Sequence, residues 1–160
     1  FRRVLFRSIS AAALVVYMLL QPAFGALSDR IGRRPLLIFF GLGGALGTVP
    51  LLGALATTTD ALSAFALMLS GLVIISGYTA VNAIVKAELF PVAVRALGVG
   101  LPYALTVSLF GGTAEYLALW FKNAGHEAGF YWYVSAMIAV SLLVYLRVPE
   151  TRDRSRLDRD

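Results

Sequence analysis

Five apolar runs, each long enough to cross a bilayer, restrict what this chain can fold into. They cover residues 9–27, 36–56, 61–85, 96–120 and 130–148. A helix needs about 20 apolar residues to cross the roughly 30 Å of hydrocarbon in a bilayer. Within lipid a helix also satisfies all of its own backbone polar groups. The sequence therefore predicts an all-α, polytopic membrane bundle of about five transmembrane helices.

The composition supports lipid as the solvent. Hydrophobic residues make up 59% of the chain and charged residues 14%, and the mean hydropathy is +0.78. A typical soluble domain has about 25% charged residues. Cysteine is absent and His126 is the single histidine, and no nucleophile elbow or phosphate-binding loop occurs. We therefore expect no enzyme, no metal site and no cofactor.

The two ends of the chain are expected to lie outside the bundle. Residues 1–8 read like the translation of a sequencing-adapter tail, and a basic flank of the first span is the alternative. Setting aside their three arginines lowers the formal net charge from +5 to +2, so the basic pI does not predict nucleic-acid binding. Residues 149–160 are predicted to be a cytoplasmic tail.

Lysine and arginine counts predict the orientation, because cytoplasmic loops carry the excess of these residues. The turn near Phe121 holds only Lys122, beside the aromatic residues Trp120 and 130–133, which are typical of a membrane interface. The opposite side holds all the others after residue 8, namely Arg30, Arg33, Arg34, Lys86, Arg95, Arg147, Arg152, Arg154, Arg156 and Arg159. This side, with the C-terminus, is predicted to be cytoplasmic.

The first charged turn, residues 28–35, follows the pattern G-x-x-x-D-R-x-G-R-R. A small residue such as Gly25 allows two membrane helices to approach closely, and Asp29 is suited to a helix N-terminus or an arginine. An ordinary positive loop is the alternative reading. The pattern consists of Gly25, Asp29, Arg30, Gly32, Arg33 and Arg34.

The second charged turn contains Glu88, Pro91, Arg95 and Gly98. Proline ends one helix, and the glycine leaves room for a neighbouring element. Arginine at a helix N-terminus opposes the helix dipole. We therefore expect Arg95 to have an anionic partner, with Glu88 the nearest candidate. A proline turn with an orienting arginine is the simpler alternative.

These two turns, with residues 110–116 and 129–134, resemble the major facilitator superfamily and within it the metabolite:proton symporters. The segment Phe110-Gly-Gly-Thr-Ala-Glu-Tyr116 is similar to the α-ketoglutarate permeases, and 149–152 matches the segment that follows the last helix. The resemblance implies that the spans are helices eight to twelve of a twelve-helix carrier whose first seven helices are missing. It also implies that the first turn gates the cytoplasmic side.

Polar residues within the spans are the candidates for the substrate and proton pathway. Glu115 is the one acid well inside a predicted span and is either a proton site or an interface residue near Trp120. Tyr78 and Asn82 are four residues apart and are expected on one helix face. The other candidates are Gln21, Tyr17 and Tyr103. For each of these, a hydrogen bond that only joins helices is the alternative.

The resemblance implies proton-coupled uptake of a small organic anion, with α-ketoglutarate as the leading dicarboxylate. Citrate and osmolytes such as proline or betaine are alternatives, and a standalone five-helix subunit without transport is the alternative from another class. The expected partners are lipid, the anion, the proton and the missing half of the chain, and not nucleic acid. Since no Lys or Arg is predicted deep in a span, the substrate-binding cation is expected in that missing half.

Overall fold

The computed structural model describes residues 2–151, so most of the predicted tail and the first residue lie outside it. Within this range the chain is helical and forms no strand. Five segments are long and apolar enough to cross a membrane, which confirms the predicted all-α membrane fold. The helices are α1 (Arg2–Ile31), α2 (Arg33–Thr57), α3 (Ala61–Thr79), α4 (Asn82–Leu89), α5 (Val92–Thr106), α6 (Gly112–Asn123) and α7 (Glu127–Arg147), with a π-helical segment at Val107–Gly111 between α5 and α6.

Helix α2 lies at the centre of the bundle and packs against both α3 and α7, while α1 packs against α3. Two glycines allow α7 to come close: a Cβ at Gly41 would lie 2.7 Å from Leu142, and one at Gly44 would lie 2.9 Å from Ile138. Small residues at such contacts are what membrane helix packing favours. A buried cluster joins α2 to the end of the third span and consists of Leu36, Leu37, Val81 and Val85.

The first charged turn is much shorter in the structure than the predicted residues 28–35. Helix α1 continues to Ile31 and α2 begins at Arg33, so Gly32 alone separates them. The helices extend past the apolar runs because their terminal backbone groups find partners. The Gly32 N–H donates to the Ser28 carbonyl at 2.9 Å. The Glu150 side chain accepts from the first two N–H groups of α2.

Two of the five spans are not regular α-helices. The third span is interrupted at Ala80 and Val81, between α3 and α4, and the fourth changes to a π-helix at Val107–Gly111. By contrast, the helix that contains Pro22 is continuous. Irregular turns in membrane helices need compensating partners, and π-helical turns occur frequently at functional sites.

The loop before α3 ends in a side-chain cap formed by Asp60. The Asp60 carboxylate accepts hydrogen bonds from the Ser63 backbone N–H at 2.8 Å and from the Ser63 hydroxyl at 2.9 Å. These bonds favour the ionised form and so lower the pKa of Asp60, and the bond from the Ser63 backbone N–H has the larger effect. The cap therefore holds a negative charge at the N-terminus of a membrane helix.

Candidate functional site

The junction between α1 and α2 is held by a carboxylate from the opposite end of the chain. Glu150 accepts hydrogen bonds from the backbone N–H groups of Arg33 at 2.8 Å and Arg34 at 3.1 Å. Gly32, with φ of 99°, lies directly against this carboxylate, and a Cβ there would be 2.5 Å from Glu150 Oε2. The carboxylate thus satisfies two N–H groups and complements the positive end of the α2 dipole.

Arg33 joins the two predicted charged turns. Its guanidinium donates to Asp29 at 2.8 Å within the first turn and lies 3.6 Å from Glu88 of the second. The Arg33 and Glu88 side chains are 11% and 3% exposed, whereas Asp29 is 67% exposed. We call Asp29, Arg33, Glu88 and Glu150 the charged network. It connects the ends of α1, α2 and α4 with the segment after α7.

Arg34 extends the same end of the bundle to α7. Its guanidinium donates to the carbonyl of Leu146, in the last turn of that helix, at 2.6 Å. A cation is favoured there because the last carbonyls of a helix lack partners within it. Arg30 lies in the last turn of α1, where the same argument holds. The arginines of the first turn therefore lie at helix ends, and Arg33 also binds carboxylates.

The prediction that Arg95 pairs with Glu88 is wrong. Its Nε donates to the carbonyls of Ala87 at 2.9 Å and Phe90 at 3.2 Å, and Glu88 pairs with Arg33 instead. Arg95 therefore closes the turn at Pro91 by binding carbonyls at the end of α4, where a cation complements the helix dipole. Arg33 and Glu88 are 55 positions apart in the sequence, so the residues around either of them do not indicate this ion pair.

The two glycines singled out in the turns have different surroundings. At Gly98 a Cβ would lie 2.6 Å from the Phe90 ring, so the predicted close contact exists. At Gly25 no atom of the described residues lies within 4 Å of that position. The predicted close helix approach at Gly25 is therefore not made within residues 2–151.

A polar cluster joins α1 and α3, with Ser76 buried and Thr79 exposed. The Tyr17 hydroxyl donates to Thr79 Oγ1 at 2.8 Å, which in turn donates to Gln21 Oε1 at 3.0 Å. Gln21 Nε2 donates to Ser76 Oγ at 3.2 Å. The structure thus brings together two predicted residues and adds Ser76 and Thr79. This cluster ends beside the interruption of the third span.

Tyr78 and Asn82 do not form the pair that helical spacing predicted. The interruption at Ala80 and Val81 lies between them, so α-helical i,i+4 geometry does not relate them. Tyr78 packs instead against aromatic rings of α2 and α7. Its ring centroid is 5.1 Å from that of Phe40 and 6.4 Å from that of Tyr145. Tyr78 is therefore part of the packing between helices.

Tyr103 lies against Lys86, which the sequence analysis assigned to the cytoplasmic side. The Lys86 ammonium is 4.7 Å from the centroid of the Tyr103 ring, a cation–π contact between α4 and α5. Lys86 belongs to the last turn of α4, one residue beyond the apolar run 61–85 and within the helical segment Ala61–Leu89 that is long and apolar enough to cross a membrane. Sequence reasoning missed this residue because its neighbours Glu88 and Arg95 made the whole segment look like a loop.

Glu115 lies in the first turn of α6, directly after the π-helical segment. Its side chain is exposed on the surface of the described bundle. The neighbouring Thr113 hydroxyl donates to the Leu109 carbonyl at 2.5 Å, across the same irregular turn. The structure therefore places the acid next to a helix distortion, away from both the charged network and the polar cluster.

Comparisons with known proteins give one consistent family. Residues 6–157 match the family model described as sugar (and other) transporter. The chain is 51% identical to the α-ketoglutarate permease of Escherichia coli over 138 residues, 86% of this chain and 32% of that relative. It is 40% identical to the ectoine/proline transporter of Corynebacterium glutamicum over 112 residues, 66% of this chain and 22% of that relative. It is 35% identical to the citrate-proton symporter of Klebsiella pneumoniae over 91 residues, 57% of this chain and 20% of that relative.

The chain thus spans between a fifth and a third of the length of these curated relatives. No solved structure matches it.

Proposed function

The chain belongs to the sugar (and other) transporter family of the major facilitator superfamily, and on that basis we propose that it forms part of a secondary active transporter. The proposed reaction is symport of a proton with a small organic acid, with α-ketoglutarate as the leading dicarboxylate and no covalent chemistry. The observation that carries the choice of substrate is the 51% identity with the E. coli permease across 86% of the chain.

In this proposal the five spans correspond to helices eight to twelve of a carrier that alternates access around a site between two halves. The charged network lies on the cytoplasmic side of a bacterial inner membrane, as does the C-terminus. The remaining helices, including the other half of the pathway, belong to a part of the carrier outside this chain. The lipid bilayer covers the outward apolar faces.

The charged network is the proposed cytoplasmic gate. Arg33 and Glu88 are nearly buried and hold the ends of α2 and α4 together, while Asp29 is two-thirds exposed at their edge. An exposed carboxylate beside a buried cation can bind a helix end of the other half without breaking the inner pair. Closing and opening of the gate then requires this outer contact to form and break.

Replacing Asp29 with asparagine is therefore expected to slow uptake by the full-length carrier about tenfold, since a charge-assisted hydrogen bond is lost in one state of the cycle. Membrane insertion is expected to be unchanged, because the Asp29–Arg33 contact is exposed. The measurement is initial uptake rate per carrier in the membrane. Asp60→Asn, at the cap of α3, is the matched control and retains a side-chain cap. Normal uptake by Asp29→Asn would contradict the gate.

Glu115 is the proposed proton site. A carboxyl group within the membrane is costly when ionised, so proton binding couples to its surroundings. Glu115 also directly follows a π-helical segment, and such segments are frequent at functional sites. The polar cluster of Tyr17, Gln21, Ser76 and Thr79 is the proposed substrate-facing group on α1 and α3. Its hydroxyl and amide groups can donate hydrogen bonds to a carboxylate.

Glu115→Gln is expected to abolish accumulation driven by a pH gradient while preserving exchange of internal for external substrate, because the side chain keeps its size but can no longer release and rebind a proton. Accumulation and exchange are measured separately in the full-length carrier. Glu127→Gln, another exposed acid at the start of α7, is the control and is expected to leave both unchanged. An unaltered pH dependence in Glu115→Gln would make Glu115 an interface residue.

Competition for uptake of labelled α-ketoglutarate tests the proposed substrate. Cells that lack their own dicarboxylate carriers would express the full-length protein, with citrate and proline as competitors. The proposal predicts saturable uptake that unlabelled α-ketoglutarate suppresses best. Saturable uptake of citrate or proline instead would favour the alternatives to which the Klebsiella and Corynebacterium relatives point. No saturable uptake of any of these would favour the standalone membrane subunit.

A further inference from the structure

We infer that Lys86 is a cation of the substrate pathway that receives one carboxylate of the transported anion, with Tyr103 as its positioning residue. This inference rests on the proposed function, since it names the charge that recognises a dicarboxylate. The observation that carries it is the contact between the Lys86 ammonium and the ring of Tyr103 in the next span.

From the contact with Tyr103 we infer that Lys86 extends from the end of α4 towards the middle of its span. Lys86 lies three residues before the end of α4, so its Cα is about 4.5 Å along the helix from Leu89. Tyr103 lies eleven residues after the start of α5, so its Cα is about 16 Å along that helix from Val92. The ammonium lies 4.7 Å from the centroid of the ring, which indicates that the two side chains lean towards each other. Side chains lean towards the N-terminus of their helix, and α4 and α5 run in opposite directions.

This direction is unusual for a lysine near the end of a membrane helix. Such a lysine normally extends to the interface and keeps its ammonium in water. Within residues 2–151 no carboxylate forms an ion pair with Lys86, and the Glu88 carboxylate two residues away pairs with Arg33. The contact of Lys86 that the structure shows is the face of an exposed tyrosine ring. The ammonium is therefore held inward by a neutral group that leaves its charge uncompensated.

An inward cation held by a neutral ring is suited to an anion that comes and goes. A fixed carboxylate partner would compete with the substrate, whereas a ring holds the ammonium in place without neutralising it. Asn82 lies one turn before Lys86 on α4 and so faces the same side of that helix. Its amide can donate a hydrogen bond to the same carboxylate.

Equilibrium binding to the full-length carrier tests this inference without requiring transport. The two probes are α-ketoglutarate and 2-oxopentanoate, which has a methyl group where α-ketoglutarate has its second carboxylate. Lys86→Met is expected to weaken α-ketoglutarate binding about 10- to 100-fold, the loss typical of a charged hydrogen bond, and to change 2-oxopentanoate binding less than about threefold. Lys86→Arg is expected to retain most of the selectivity. Lys122→Met, which alters the other lysine of the chain, is the matched control and is expected to change neither affinity.

The role of Tyr103 has its own variants. Tyr103→Leu removes the ring and is expected to weaken α-ketoglutarate binding about 2- to 30-fold. It is expected to cause no further loss when it is added to Lys86→Met. Tyr103→Phe keeps the ring and is expected to behave like the wild type. These variants leave Lys86 in place, so they also test the inference if Lys86→Met does not reach the membrane.

The outcomes separate this inference from the proposed function. If the wild-type carrier binds α-ketoglutarate and both Lys86→Met and Tyr103→Leu keep its preference for the dicarboxylate, the inference is wrong and the proposed function stands. Equal losses for both probes would likewise overturn it, since they would indicate a structural role. If the wild type binds neither probe, the proposed function fails and the inference fails with it.

Discussion

Replacing Arg33 with methionine is expected to lower the free energy of unfolding of the carrier by about 3–5 kcal/mol, the range for breaking a buried ion pair on one side. The Glu88 side chain is 3% exposed and would keep its carboxylate without the cation at 3.6 Å. Its Oε2 atom already lacks a hydrogen-bond partner within the described residues. Leaving such a charge alone in the interior costs more than the pair contributes.

Denaturation of the full-length carrier in mixed micelles measures this effect. Asp29→Asn removes the other carboxylate that Arg33 contacts and is the matched comparison, because that side chain is 67% exposed and an exposed pair contributes about 0–1 kcal/mol. Adding Glu88→Gln to Arg33→Met removes the stranded charge and is expected to restore more than half of the loss. Equal stability of the Arg33→Met and Asp29→Asn variants, or no restoration by Glu88→Gln, would contradict a buried pair at this junction.

Gly32→Ala is expected to cost about 2–4 kcal/mol of stability. The residue has φ of 99° and ψ of 169°, a region that is open almost only to glycine and costs other residues about 1–3 kcal/mol. The new Cβ would also lie 2.5 Å from Glu150 Oε2 and displace the carboxylate that caps α2, and loss of a cap costs about 0.5–2 kcal/mol.

The same denaturation experiment tests this prediction. Gly53→Ala is the matched control, because it lies inside α2 with no atom of the described residues within 4 Å of its Cβ position. There alanine is expected to be neutral or to stabilise by up to about 1 kcal/mol. If Gly32→Ala were as stable as Gly53→Ala, neither the backbone conformation nor the Glu150 cap would matter at this junction.

The membrane spans can be predicted well from the sequence because their signal is local. A run of about 20 apolar residues is sufficient evidence for a helix in lipid, and five such segments are helical in the structure. The ends of the helices are a different matter. Glu150 caps α2 from 117 positions away, so the residues around Gly32 contain no sign that the turn would shrink to one residue.

The candidate site is only partly visible in the sequence for the same reason. Tyr17 and Gln21 were found as polar residues in an apolar run, and they do share a cluster, but their partners Ser76 and Thr79 lie on another helix. The interruption at Ala80 and Val81 has no proline to announce it, and it separates Tyr78 from Asn82. Lys86 was read as a loop residue, since the direction of its side chain depends on Tyr103 in the next span.

Accumulation of labelled α-ketoglutarate in proteoliposomes that contain the purified full-length carrier tests the central proposal most directly. With an inward proton gradient, we expect internal α-ketoglutarate to exceed the external concentration, and a protonophore to abolish the excess. Equilibration to equal concentrations with or without the gradient would contradict proton coupling, and no entry at all would contradict a dicarboxylate carrier.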